Sequence, residues 1–112
     1  MSDGSPMGDL AFSVLVALTD DPLHGYALIK RLRSLEGRAA LRTGTVYAAL
    51  ARLQDEGWVA EVEAPTDGAD PRRRYYRVTP AGREAARAEA ARLASLVGFA
   101  RRKELLTDPS HG

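Results

Sequence analysis

A mainly helical fold with one small β-hairpin and a long C-terminal helix is what this 112-residue chain predicts. Three observations carry the prediction. Apolar residues recur at helical spacing in three segments before Gly57, two alternating strand-like runs then flank a turn-rich loop, and a helical seam continues from Pro80 to about Leu106. In that order the elements make a winged helix-turn-helix over residues 9–79 and a C-terminal dimerisation helix over 80–106, between flexible tails at 1–8 and 107–112.

The first helix is expected from Asp9, read as its N-cap, to Thr19. It is apolar nearly all round, the pattern of a helix covered on more than one side. A domain this small hardly covers both faces itself, so Leu10, Phe12 and Val14 are expected to meet a second copy of the chain. Asp20-Asp21-Pro22 breaks the chain. A second helix is expected over about His24 to Glu36, with Leu28, Leu32 and Leu35 inward, Gly37 as its C-terminal cap and Lys30, Arg31 and Arg33 on or near its outer side. Leu41 reads as part of a very short strand leading into Thr43.

The third helix is expected to start with Thr43 as N-cap and to stop at Gly57. Val46, Leu50 and Leu53 follow the i, i+4, i+7 pattern and face the core. Gly44, Ala48 and Ala51 lie opposite, flanked by Thr45, Tyr47 and Arg52, and such small residues let a helix backbone approach another surface closely. Strand-like alternation spans 58–64 and 73–78, joined by Pro65-Thr66-Asp67-Gly68-Ala69-Asp70-Pro71. Thr79-Pro80 opens the last helix, cap followed by proline at the first helical position. Ala86, Ala90, Leu93, Val97 and Ala100 recur in steps of four and three, a coiled-coil-like seam that Leu96 and Phe99 widen. These residues are the expected homodimer contact.

Composition narrows the function. The hydrophobic fraction of 45% and charged fraction of 28% are those of a globular domain. The absence of cysteine removes disulfides, thiolate nucleophiles and cysteine-based zinc sites. The chain's two histidines, His24 and His111, are far apart and make a poor metal site, and His24 reads as a cap-region residue. No phosphate-cradling glycine loop, nucleophile elbow or working carboxylate pair is present, so neither catalysis nor a cofactor is expected. The start is polar and unlike a signal peptide, and no apolar stretch approaches the ~20 residues of a membrane span, so a cytoplasmic protein is expected.

Net charge is only +1, yet four of the sixteen basic side chains (Arg72, Arg73, Arg74, Arg77) fall within six positions. Such a local positive patch is the footprint expected for nucleic acid, although a charge run also serves as a plain solvated hairpin. Behind a capped helix it points to double-stranded DNA, with the third helix in a groove and the hairpin at neighbouring phosphates. The candidate DNA contacts are Lys30, Thr43, Thr45, Tyr47, Ala48, Arg52, Arg72, Arg73 and Arg74. Thr45 also suits helix capping, Tyr47 partial burial and Lys30 plain solvation. Side chains alternate along a strand, so Arg73 and Arg74 cannot share one role, and one of them is free to brace the wing's base.

Three segments in register, Pro22-Leu23-His24-Gly25-Tyr26, then Gly44-Thr45-Val46-Tyr47 with Leu50, Leu53 and Glu56-Gly57, then Arg74-Tyr75-Tyr76-Arg77-Val78-Thr79 with Gly82, resemble the PadR family of transcriptional regulators across about residues 10–105. The resemblance implies an N-terminal winged helix-turn-helix, a C-terminal dimerisation helix and repression at inverted-repeat operators, in the short subgroup with a single terminal helix. Val46 stands where leucine is frequent, and Trp58-Val59 follows the glycine; both are core-like changes. Some short members hold planar drugs between their terminal helices with a tryptophan; here that helix offers Phe99. A small-molecule effector between the terminal helices, walled by Phe12 and Phe99, therefore stands beside simple apolar packing of the same residues. A winged-helix module binding an acidic protein partner, without specific DNA binding, is the alternative from another class.

Overall fold

The computed structural model describes residues 7–64, 70 and 72–106. Residues 1–6 of the tail expected at 1–8, the tail expected at 107–112, and the turn at 65–69 with Pro71 lie outside the described residues. The elements follow the predicted order except for the short strand, which precedes the second helix: α1 (Asp9–Ala17), β1 (Leu23–His24), α2 (Gly25–Arg33), α3 (Thr43–Asp55), β2 (Val59–Val62), β3 (Tyr75–Val78) and α4 (Pro80–Arg102). Among the described residues no helix is long and apolar enough to cross a membrane.

The short strand sits at Leu23–His24, not at Leu41. It pairs antiparallel with β3, Leu23 opposite Tyr76 and His24 opposite Tyr75, while β2 pairs on the other side with Val59 opposite Val78. The sheet order is therefore β1-β3-β2, with β3 central. That position explains why Tyr75 and Tyr76, neighbours that point to opposite faces, are both buried.

One cluster holds the fold together. Val14, Leu15 and Leu18 meet Leu28, Ile29 and Leu32 of α2, the expected Val46, Leu50 and Leu53 of α3, and Val59, Tyr76, Val78 and Ala86 from the wing and α4. Truncating a fully buried leucine such as Leu28 or Leu50 to alanine costs about 2–5 kcal/mol in comparable cores. Val14 and Ala86, expected at a dimer seam, belong to this core, which leaves almost none of their surface for a second subunit.

Helix ends depart from expectation for identifiable reasons. Gly8, at φ 86, is the N-cap of α1, and Asp9 is the first helical residue. Met7 is not part of a free tail: it packs against the core, with its backbone facing the Glu89 carboxyl. Glu89 is 7% exposed and accepts a two-pronged pair from Arg92, at 3.0 and 2.6 Å. Those Arg92 bonds, more than any other contact, hold its carboxyl below the usual range. The α2 helix ends at Arg33, where the Ser34 hydroxyl donates to the Arg31 carbonyl, so Leu35 falls in the following turn at 45% exposure. Gly37, at φ 79, closes that turn and does not cap the helix itself.

Arg42, without a side-chain bond, is the N-cap of α3, and Thr43 is already helical. Its far end is as the sequence predicts: Gly57 adopts φ 78, its N–H reaches the Gln54 carbonyl at 3.0 Å, and Trp58 N–H reaches the Leu53 carbonyl at 2.9 Å. Thr79 caps α4 as expected, its hydroxyl accepting from Gly82 N–H and donating to the Gly57 carbonyl. A Cβ on Gly82 would lie 2.1 Å from the Trp58 carbonyl oxygen, so only glycine lets α4 start this close to the sheet. The helix stops at Arg102, short of Leu106, and Glu104 takes the left-handed conformation at φ 62. Its 23 residues span about 35 Å at 1.5 Å each.

Candidate nucleic-acid interface

The outer face of α3 is open along its length. Thr43, Gly44, Thr45, Tyr47, Ala48, Ala51 and Arg52 are exposed, while Val46, Leu50 and Leu53 anchor the opposite face. A helix held from behind and faced with small residues can bring its backbone close to a flat groove floor.

Tyr47 is held by a backbone feature of the preceding helix. Its hydroxyl lies where a Cβ on Gly25 would be, 2.0 Å from that position. The Gly25-Tyr26 step therefore opens a seat for the Tyr47 ring against the start of α2. Beside it is a shallow cavity of about 270 Å³ lined by His24, Gly25, Tyr26, Tyr47, Arg73, Arg74 and Tyr76. The α2 start, the first turn of α3 and the wing's base thus converge on one concave surface, two guanidinium groups on its rim.

The arginines of the wing are not equivalent, but Arg73 and Arg74 both precede β3, which starts at Tyr75, so strand alternation is not what separates them. Arg74 reaches across to Glu61 on β2 at 4.0 Å. Arg73 turns inward: Nη1 donates to His24 Nδ1 at 3.1 Å, Nε lies 3.6 Å from the Asp70 carboxylate, and the guanidinium sits 6.0 Å from the Tyr26 ring centre. Arg72 projects outward, 89% of its side chain exposed, yet its backbone N–H and Nε both reach Asp70 Oδ1, at 2.9 and 3.2 Å. Bonds from Arg72, the backbone one first, hold the Asp70 carboxyl below its usual range. Asp70 in turn is fixed by its own N–H, which donates to the Tyr75 hydroxyl at 3.2 Å.

His24 ties these pieces together. Its Nδ1 accepts the Ala27 N–H, capping α2, as well as the Arg73 donor, both at 3.1 Å. Both partners can only donate, so Nδ1 carries a lone pair and the ring is neutral with its proton on Nε2. Partial burial first, and then the Arg73 charge, push the His24 pKa below its ordinary 6.5, in keeping with that state. Tyr26 stacks on the ring at 6.3 Å and Tyr75 meets it edge-on at 5.5 Å.

Of the nine residues the sequence singled out, Tyr47, Arg73 and Arg74 meet at the cavity. Thr43, Thr45 and Ala48 follow on the same open helix, whereas Arg52 lies in its last turn. Arg72 extends from the wing, and Lys30 stands exposed on α2. Sequence reasoning passed over Tyr26, an aromatic ring 60% exposed beside Arg73, and Asp70, the anion beside Arg72 and Arg73. The signal for Tyr26 was present: a tyrosine directly after a histidine-glycine step at a helix start has no apolar period to satisfy.

The profile of the transcriptional regulator PadR-like family matches residues 14–88, from the core of α1 to the first half of α4. A 37.1 kDa protein in transposon TN4556 of Streptomyces fradiae is 40% identical over 90 residues, covering 80% of this chain and 24% of that protein. The chain thus spans about a quarter of that relative's length. Among solved structures, a PadR family transcriptional regulator from Eggerthella lenta DSM 2243 aligns at TM-score 0.67 with 30% identity, over 88% of this chain and 83% of that one. A PadR family transcription regulator from Clostridium difficile R20291 aligns at TM-score 0.73 over 85% and 97%, and its 21% identity speaks for the fold alone. With its winged helix and the family's matched core both in place, the chain belongs to the PadR-like family of transcriptional regulators.

Proposed function

We propose that the protein acts as a homodimer that binds an inverted-repeat operator through α3 and the wing and represses transcription there. The observation that carries this reading is the open, small-residue face of α3 beside Tyr47, Arg73 and Arg74. In this reading α3 enters the major groove. Thr45 and Tyr47 reach base edges or phosphates from its first turn, and Ala48 is small enough to meet a thymine methyl. Arg72, Arg73 and Arg74 follow the backbone, with Thr43, Arg52 and Lys30 at flanking phosphates.

The second subunit is argued from unused apolar surface. Leu96, Val97 and Phe99 are 52%, 40% and 54% exposed on the distal half of α4, and Val16 on α1 is 47% exposed. Ala90, Leu93 and Ala100 continue the α4 face, and Leu10 and Phe12 are only partly covered by the core. Pairing along this face would set two copies of α3 at a fixed separation, and successive major grooves lie about 34 Å apart. Replacing Leu96 and Phe99 with aspartate is expected to yield a folded monomer that has lost operator affinity.

The direct test is binding of a palindromic duplex against scrambled competitor across a salt series. If ~6–10 phosphates are engaged, raising salt from about 50 to 200 mM should weaken binding on the order of 10³–10⁵-fold. A flat salt response, or equal retention of scrambled duplex, would count against the reading.

A further inference from the structure

We propose that His24 is a positioning residue for DNA binding: the Nδ1 lone pair that caps α2 also clamps Arg73 to the start of α2 and so aims the base of the wing. The proposal rests on the DNA-binding reading above and adds a residue with no expected contact to DNA.

The geometry separates two duties of one atom. Capping needs only an acceptor for the Ala27 N–H, which many side chains provide. Clamping needs an acceptor far enough out to meet Arg73 Nη1, a residue 49 positions away on another element. With Nη1 on His24 and Nε beside Asp70, Nη2 is the edge of the Arg73 fork without a partner among the described residues. The Tyr26 ring beneath it limits the remaining rotation. An arginine otherwise loses considerable rotamer freedom when it takes a phosphate. Here part of that ordering is already done before DNA arrives. Imidazole suits the task because a neutral ring accepts without bringing a carboxylate that would repel the DNA backbone.

The groups that face this ring are Arg73 and Asp70 from the wing, Tyr75 from β3 and Tyr26 from α2, and Tyr47, Arg74 and Tyr76 line the same cavity. Tyr26 also touches Arg73, through its ring face, but among the described residues His24 is the one at the start of α2 that accepts a hydrogen bond from it.

Two substitutions separate the duties. His24→Ser keeps a good N-cap but is too short to reach Arg73, whereas His24→Asn places Oδ1 close to where Nδ1 stood and keeps both bonds. The probe is a mixed-sequence 30-base-pair duplex in a salt series, so no operator has to be known. Arg73→Ala is expected to weaken binding and make the slope of log K against log salt shallower by about 0.9, one phosphate's worth. His24→Ser should reproduce both changes with an unaltered thermal midpoint. The double variant should be no weaker than either single one, and His24→Asn should bind as the native protein does. If His24→Ser lowers the midpoint, the decision passes to the double variant. Additive losses of affinity in His24→Ser and Arg73→Ala would overturn the clamp, as would a His24→Ser protein that binds like the native one while Arg73→Ala does not. Failure of the native protein to bind any duplex would instead overturn the DNA-binding reading itself.

Discussion

Replacing Gly25 with alanine asks whether the seat of Tyr47 matters. The added Cβ would lie 2.0 Å from the Tyr47 hydroxyl oxygen, 2.7 Å from Cζ and 3.0 Å from Cε1. Non-bonded heavy atoms rest at about 3.5–4.0 Å, so the ring has to withdraw by roughly 1.5 Å or more. The ring is already 43% exposed, so withdrawal toward solvent is the expected response. Gly25 does not occupy the left-handed region, so alanine is acceptable to the backbone, and such a change gains about 0.4–1 kcal/mol by restricting the unfolded chain. That gain roughly offsets the lost ring contacts, and net stability should shift by less than about 1 kcal/mol. Operator affinity should respond more. A side chain that reads a base is worth about 1–3 kcal/mol, which is roughly 5- to 150-fold in Kd. Fluorescence anisotropy on a labelled operator duplex, with urea denaturation alongside, separates the two effects. Gly25→Ala should weaken binding about as much as Tyr47→Ala, and the double variant no more than Tyr47→Ala alone. Native-like affinity for Gly25→Ala beside a clear loss for Tyr47→Ala would refute the reasoning.

Other perturbations follow from the same geometry. Gly82→Ala forces a Cβ to 2.1 Å from the Trp58 carbonyl oxygen and 2.8 Å from Val78 Cγ2, against backbone that is itself bonded to Thr79 N–H. Overpacking of this kind costs about 1–3 kcal/mol or more, and urea denaturation should place the loss at the upper end. Asp70→Asn keeps a side-chain oxygen for the Arg72 backbone N–H but removes the anion beside Arg72 and Arg73, so duplex binding should tighten for all sequences, most at low salt. Acid should destabilise the fold. The His24, Asp70 and Glu89 pKa values are all depressed, so the unfolded chain binds more protons as pH falls. Their stabilisation is complete above the ordinary values of 6.5, 3.8 and 4.5 and is lost as pH drops through the depressed ones, His24 first. Urea midpoints between about pH 7.5 and 5.5 should fall for the native protein and stay flatter for His24→Asn.

Local chemistry made most of the fold readable. The stop of α3 at Gly57 was legible because the apolar period ends there and glycine follows, and Thr79-Pro80 announced α4 just as directly. The end of α2 was not, because Leu35 keeps the helical period while Ser34 draws the backbone into a turn. No pattern marks a two-residue strand such as Leu23–His24, whose pairing with β3 depends on residues about fifty positions away. The candidate site divides in the same way. Tyr47 and the arginine run stand out in the sequence, whereas the His24–Arg73 bond exists only once the start of α2 meets the wing, and the Gly25 seat only once α2 meets α3. Val14 and Ala86 show the limit of apolar patterning, which says that a residue is covered but not by which chain.

Selection of bound duplexes from a random DNA pool is the most direct test of the central claim, that two copies of α3 read one duplex at matched separation. An inverted repeat whose half-site centres lie about 10 base pairs apart, or a multiple of that, should be enriched. Lengthening the spacer by half a turn should then abolish the preference. Recovery of no shared sequence, or of a single half-site bound equally well at any spacing, would contradict it.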